Sequence, residues 1–238
     1  MIACPCRVCA SPDARDKRFR SSILVESPTT AIVIDTTPDF RSQMLRANVR
    51  HLDAVIFTHP HKDHIAGLDD VRAYNYFQQK PMDIYANEMT QEAIVREFPY
   101  AFADIKYPGI PELRFNSIDH EPFLVGDIPV IPIQVWHLKM PVLGFRFGPF
   151  TYITDANRID EEEKDKIRGS KTIVLNALRH EKHVSHYSLQ EAVDEVVGLG
   201  IPRAYFTHIS HQLGLHAEIN PTLPSGMELA YDELIINH

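Results

Sequence analysis

The run Ala54-Val55-Ile56-Phe57-Thr58 reads as a buried strand and passes without a break into His59-Pro60-His61-Lys62-Asp63-His64. Four ligand-type side chains thus fall within six residues at a strand's end, where a loop can turn them toward a common centre. His59 and His61, as alternate residues, share one side of an extended segment, while Asp63 and His64 can diverge toward two separate ions. A solvated strand-to-helix loop is the competing reading. It accounts for one histidine better than for three at this spacing.

The remaining ligand chemistry is also clustered. The chain has only 3 cysteines, all at the start, in Cys4-Pro5-Cys6-Arg7-Val8-Cys9. An odd, tightly spaced set with no secretory signal argues against a disulfide framework and for a metal knuckle at residues 4–9. Histidine appears 13 times, and neutral imidazole is the commonest metal ligand.

Composition bounds the class. A chain of 238 residues, 44% hydrophobic and 24% charged, is neither disordered nor fibrous. No repeat or low-complexity linker divides it, so one domain over 1–238 is expected. No apolar run reaches the roughly 18–20 residues that cross a bilayer, and the opening residues lack signal-peptide character. A cytoplasmic protein with no membrane partner is the expectation. With 24 Lys and Arg against 32 Asp and Glu, the net charge of −8 disfavours a nucleic-acid partner.

Short apolar segments bounded by Pro, Asp, Gly and Asn predict strands over 22–26, 31–35, 54–58, 83–86, 112–118, 129–135, 143–147, 150–154, 172–176, 203–207 and 227–231. Helices are predicted over 68–78, 90–97, 158–168 and 189–198. The last is the best defined: Ser188 and Glu191 make a capping box, and Leu189, Ala192, Val193, Val196 and Val197 form an apolar stripe. Asp160-Glu161-Glu162-Glu163 suits an exposed helix start, and 71–77 reads as packing. Helices among many strands imply an α/β or α+β layered fold.

The segment Thr58-His59-Pro60-His61-Lys62-Asp63-His64 resembles the signature of the metallo-β-lactamase superfamily of dinuclear hydrolases. The resemblance implies a four-layer αββα sandwich, and it implies three further ligands downstream, each at a strand's end. His137 after Gln134-Val135-Trp136, Asp155 after Phe150-Thr151-Tyr152-Ile153-Thr154, and His208 after Ala204-Tyr205-Phe206-Thr207 stand in that order. Carried over, one ion falls to His59, His61 and His137, the other to Asp63, His64 and His208, with Asp155 bridging. Asp35 is similar to the family's buried aspartate that orients the metal loop. A bridging carboxylate suits phosphodiester or thioester hydrolysis by a metal-bridging hydroxide, and penicillin hydrolysis is not expected.

The cysteine knuckle, His183-Val184-Ser185-His186 and Thr207-His208-Ile209-Ser210-His211-Gln212 are similar to the bacterial phosphoribosyl cyclic phosphate phosphodiesterases of phosphonate breakdown. That resemblance implies a closed structural zinc site of Cys4, Cys6, Cys9 and His211, and His186 as the general acid. It also implies a strand and a Gly-rich turn ahead of the knuckle, where this sequence begins; a start codon set too far downstream is the expected reason. Asp63 is carried as both ligand and catalytic residue. Arg179, His180 and His183 are weaker candidates for holding a substrate phosphate. His51, His120, His216 and His238 have no motif context.

The expected activity is hydrolysis of a small phosphodiester, cyclic ones included, with two active-site ions, zinc or manganese, and one structural zinc. The small substrate is the expected partner, together at most with a second copy in a homodimer. A tRNA 3′-processing endonuclease or a thioester hydrolase shares the catalytic ligands. A non-catalytic metal-binding module is the rival from another class. The substrate, the metal in vivo and the oligomeric state are not legible here.

Overall fold

The computed structural model describes residues 1–104 and 107–238. They divide into two compact units, the first made of residues 20–130 and the second of 1–19 with 131–238.

The first unit is built on β1 (Ile23–Glu26), β2 (Ala31–Ile34), β3 (Ala54–Ile56), β4 (Met82–Ala86) and β5 (Leu113–Ser117), side by side in that order. β1 and β2 are antiparallel, and every later pair is parallel. β2 and β3 are buried along their whole length, as strands covered on both faces require. Parallel neighbours need long crossovers. These hold α1 (Phe40–Arg46), α2 (Lys62–Ile65), α3 (Arg72–Gln78) and α4 (Glu88–Glu97). Phe40, Phe57, Leu68 and Ile94 pack with Val33, Val55 and Ile84 into this unit's own core. β6 (Phe123–Val125) then pairs with the first residues of the next strand.

The second unit holds a meander of β7 (Ile128–His137, which enters this unit at Ile131), β8 (Met140–Phe147) and β9 (Phe150–Ile153), with β10 (Arg158–Ile159) on the other side of β7. Parallel strands β11 (Thr172–Asn176), β12 (Arg203–Thr207) and β13 (Met227–Leu229) continue the sheet from β9. Its helices are α5 (Glu161–Ile167), α6 (Leu189–Leu199) and α7 (His216–Ile219). Among the described residues, no helix is long and apolar enough to cross a membrane.

The predicted elements differ from the structure in instructive places. The helix read over 158–168 gives its first two residues to β10, because Arg158 and Ile159 pair with Trp136 and Val135, and α5 starts only after Asp160. The helix read over 68–78 is a 3-10 turn, Leu68–Val71, before α3 begins. α6 has its capping box and ends on Gly200 at φ 68. Its apolar stripe, however, runs through Leu199 and leaves Val197 exposed. A step of one residue from Val196 turns the side chain about 100° round the helix, off the buried face. α1 escaped the sequence reading because only Phe40 of its seven residues is buried.

Candidate metal centre

Several chemistry-bearing residues stand just past strand ends in left-handed backbone: Asp35 after β2 at φ 65, Asp155 after β9 at φ 53 and His208 after β12 at φ 55. Such a conformation costs a non-glycine residue about 1–2 kcal/mol. Strain of this kind persists where the surroundings over-determine it, commonly at functional sites.

In the first unit, the histidine loop is keyed to Asp35. Asp35 is wholly buried; its Oδ1 accepts from the Thr58 backbone N–H at 2.8 Å, and its Oδ2 accepts from Thr58 Oγ1 at 2.8 Å and His64 Nδ1 at 2.7 Å. Burial pushes the Asp35 carboxyl above its usual range, and His64 and Thr58 oppose that shift. Because the Thr58 hydroxyl proton goes to Asp35, His59 Nδ1 must donate to Thr58 Oγ1, 2.9 Å away. Both histidines therefore carry the Nδ1 proton and present Nε2 as an electron-pair donor. His59 and His61 ring centroids lie 4.7 Å apart, those of His59 and His64 4.2 Å apart, and Asp63 Oδ2 is 3.5 Å from His64 Nε2. His61 is extended at φ −64, ψ 150 and caps α2, so Asp63 and His64 leave on that helix's first turn. The loop closes with the Gly67 N–H on the Thr36 carbonyl at 2.8 Å, where any Cβ would sit 2.1 Å from the Thr37 oxygen.

In the second unit, His137 ends β7 and donates from Nδ1 to the Ser185 carbonyl at 2.9 Å, which again leaves Nε2 as the donor of an electron pair. The ligand atoms of His137, Asp155 and His186 lie within 4.8 Å of one another. Asp155 Oδ2 accepts from Thr154 Oγ1 at 2.7 Å, while its Oδ1 is 3.1 Å from His186 Nε2 and 3.2 Å from His208 Nε2. The His186 and His208 rings stack at 4.9 Å. In the same unit, the ligand atoms of Cys4, Cys6, Cys9 and His211 also lie within 4.8 Å of one another. His211 Nδ1 is 3.5 Å from Cys4 Sγ and 3.3 Å from Cys6 Sγ. The Cys9 backbone N–H, then His211, hold the Cys6 thiol down at about 6.

The weaker candidates divide. His183 reaches the cluster, its Nδ1 3.1 Å from that of His186, and burial lowers its pKa. Arg179 is used within its own loop, on Gln212 Oε1 at 2.9 Å and on the Glu181 and Lys182 carbonyls. His180 is exposed.

Asn176 was missed by the sequence reading. Its side-chain amide clamps Ala156, accepting from the N–H at 2.7 Å and donating to the carbonyl at 2.9 Å. The same carbonyl accepts from the Tyr187 N–H at 2.8 Å, so the loops carrying Asp155 and His186 share one anchor. The signal available was an asparagine closing an otherwise apolar strand. His216 was set aside as well; it is buried, with Nδ1 3.1 Å from the Arg18 guanidinium.

The donor sets fit metal ions. Imidazoles with Nδ1 held by oxygen partners, beside carboxylates, suit zinc or manganese, and a closed thiolate–imidazole set suits zinc.

The comparisons with known proteins agree with this chemistry. The family model of the beta-lactamase superfamily domain matches residues 30–209. The chain belongs to that superfamily and has its two-sheet α/β fold. A crystal structure of a new diphosphatase from the PhnP family is 37% identical, with a TM-score of 0.92 over 100% of this chain and 91% of that one. Within the superfamily, the chain belongs to the PhnP family. Zn(2+)-bound PqqB from Methylobacterium extorquens shares the fold, at 19% identity and a TM-score of 0.73 over 100% of this chain and 95% of that one. An octanoyltransferase of Porphyromonas gingivalis (strain ATCC BAA-308 / W83) is 36% identical over 236 residues, 98% of this chain and 48% of the relative. The chain thus spans about half the length of that curated relative.

Proposed function

We propose that the protein hydrolyses a small phosphodiester, cyclic ones included. His59, His61, Asp63, His64, His137, Asp155 and His208 are the ligands of two divalent ions, and His186 is the general acid. Ions bound there would activate water and neutralise charge on the phosphoryl oxygens. Asp35 and the Ser185 carbonyl fix the tautomers of His64 and His137. Asn176 and Thr154 hold the Asp155 loop and carboxylate.

One observation carries the choice of substrate: the imidazole of His186 lies beside Asp155, with Nε2 3.1 Å from Oδ1. An alkoxide is a poor leaving group, and cleavage of an alkyl P–O bond needs a proton delivered to the departing oxygen as water adds to phosphorus. A thiolate leaves without one. An N–H donor held by a carboxylate ligand is suited to the first reaction and superfluous in the second. Cys4, Cys6, Cys9 and His211 form a separate structural zinc site in this reading.

The octanoyltransferase name of the half-covered relative supports a second reading, hydrolysis of an octanoyl thioester. One assay separates the two. Metal-stripped protein reloaded with Zn²⁺ or Mn²⁺ is offered bis(p-nitrophenyl) phosphate, a ribose cyclic phosphate, a dinucleoside diphosphate and octanoyl-coenzyme A. Turnover of the phosphate esters is expected. Turnover of the thioester alone would replace the first reading with the second.

A further inference from the structure

The chain leaves β11 and returns to α6 through a loop whose base is well tied. The Leu178 N–H donates to the Tyr187 carbonyl and the Leu189 N–H to the Arg179 carbonyl, each at 2.9 Å. Above that base the loop has little to hold it. His180, Glu181, Lys182 and Val184 are exposed, and among the described residues no backbone hydrogen bond joins two members of 180–186. The same stretch carries the Ser185 carbonyl that orients His137 and the His186 ring, whose Nε2 lies 3.1 Å from Asp155 Oδ1. A loop without packing or ladder bonds needs another source of order if it is to place a ring to within an ångström.

The Arg179 guanidinium supplies one. Its Nε donates to the Glu181 carbonyl at 3.4 Å and its Nη2 to the Lys182 carbonyl at 3.3 Å, so one edge of the fork takes two successive carbonyls of the loop. Its Nη1 reaches across to Gln212 Oε1 at 2.9 Å. Gln212 stands four residues beyond His208 on the loop that follows β12, and the Ser210 N–H on the Leu178 carbonyl, at 2.9 Å, ties the same two loops alongside. All three nitrogens of one planar cation are thus spent on protein oxygens, and they span the loop of His186 and the loop of His208. Those two rings stack at 4.9 Å, with their Nε2 atoms 3.1 Å and 3.2 Å from the same Asp155 oxygen. Hydrogen bonds from a charged donor are stronger than neutral ones, and a lysine, a point charge on a flexible stem, cannot copy the fork.

We propose that Arg179 is a positioning residue: its guanidinium fixes the His186 ring relative to Asp155 and His208 for proton delivery, and it does not hold the substrate's phosphate. The role in the reaction rests on the acid assigned to His186 above; the tie between the two loops rests on the geometry alone.

The test uses the full chain in two forms. In protein saturated with Zn²⁺ or Mn²⁺, Arg179→Ala should lower kcat on a ribose cyclic phosphate roughly tenfold to hundredfold, since a misplacement of about 1 Å suffices for the larger loss. The loss on bis(p-nitrophenyl) phosphate should be far smaller, and KM should change little on either. Arg179→Lys should behave like Arg179→Ala, and millimolar guanidinium should restore part of the kcat of Arg179→Ala. Gln212→Ala, which keeps the cation, should show the same dependence on the leaving group by a smaller factor. Metal-free protein gives a readout without turnover: a protease specific for lysine should cut after Lys182 several-fold faster in Arg179→Ala and Gln212→Ala than in wild type. A raised KM on both esters that Arg179→Lys largely repairs would make Arg179 a phosphate holder and overturn the proposal. Equal losses of kcat on the two esters would overturn it as well, because the proton donor would not be what Arg179 serves. If wild-type protein turns over no phosphodiester, the reaction assigned above fails; faster cutting at Lys182 would then still support the tie, and unchanged cutting would overturn it.

Discussion

His64 donates from Nδ1 to Asp35 Oδ2 at 2.7 Å, and both groups are buried. Thr58 meets the same carboxylate through its backbone N–H and its hydroxyl, each at 2.8 Å, and the hydroxyl in turn accepts from His59. One carboxylate at the end of the neighbouring strand, β2, therefore sets the tautomer of two histidines. Because the loop residues between them are polar and have no core of their own, this network does the positioning that packing does elsewhere in the unit.

Asp35→Asn is the sharpest probe of that arrangement. An asparagine keeps the volume but cannot accept from the backbone, the hydroxyl and the imidazole at once. Losing an outer partner of a metal-ligating histidine typically costs 10–100-fold in metal affinity. Titrating stripped Asp35→Asn protein with Zn²⁺ should show weakening of that size, with the secondary structure unchanged by circular dichroism. Wild-type affinity in the variant would remove Asp35 from the metal loop's support.

The cysteine cluster makes a prediction of the opposite kind, about a site that ought to be insensitive to catalysis. In metal-free protein the Cys6 thiol is held at about 6, first by the Cys9 backbone N–H and then by His211, whereas Cys4 is shifted up. A lowered thiol pKa means that the thiolate, the reactive form, already predominates at pH 7. Iodoacetamide should therefore label Cys6 ahead of Cys4, with a rate that rises through about pH 6 and is abolished by one equivalent of zinc. Elemental analysis should find one metal that survives mild chelation and is absent from Cys6→Ser, whose melting temperature should fall. Unchanged metal content and melting in Cys6→Ser would dismiss the structural zinc.

Why so much of the metal chemistry was legible, and some of it not, follows from the residues. His59, His61, Asp63 and His64 announce themselves because they are adjacent in sequence and close a recognisable strand. His137, Asp155 and His208 are isolated, and only their order behind three strands marked them. What sequence patterns do not carry is backbone handedness: nothing in Thr154-Asp155 or Thr207-His208 signals a left-handed residue. Asn176 was invisible for a related reason. Its role depends on Ala156 lying across the sheet from it, a tertiary relation with no local trace. The same limit misplaced the start of α5, where strand pairing at Arg158 and Ile159 overrode helical periodicity.

The α6 capping box lends itself to a pH measurement. Glu191 Oε2 accepts from the Ser188 N–H at 3.0 Å and from its hydroxyl at 2.8 Å. Partial burial alone would raise the Glu191 pKa, but the Ser188 bonds and Lys182 outweigh it and the net shift is downward. A carboxylate whose folded pKa is depressed stabilises the fold above its unfolded value, and that contribution disappears as pH falls through the folded value. Ser188→Ala should cost about 1 kcal/mol in urea unfolding at pH 7. The difference from wild type should narrow at pH 3. A constant difference across that range would mean that Glu191 takes no part in the cap.

The last prediction concerns His186, whose ring centroid is 4.6 Å from that of His137 and whose Nε2 is 3.1 Å from Asp155 Oδ1. That position allows two roles that metal analysis and kinetics tell apart. A proton donor contributes in proportion to how badly the leaving group needs a proton, typically 10²–10⁴-fold for a poor one. His186→Ala should then lower kcat by that order on an alkyl phosphodiester and far less on bis(p-nitrophenyl) phosphate, because p-nitrophenolate departs unprotonated. Both ions should stay bound. A ligand behaves otherwise: removing it loosens an ion and slows both substrates alike. Ser185 and His183 sit within 3.1 Å of His186 Nδ1 and hold its other nitrogen. Ser185→Ala should therefore lower kcat on the alkyl ester more than on bis(p-nitrophenyl) phosphate, without changing the metal count. Equal losses on the two esters, accompanied by loss of metal, would move His186 from proton donor to metal ligand.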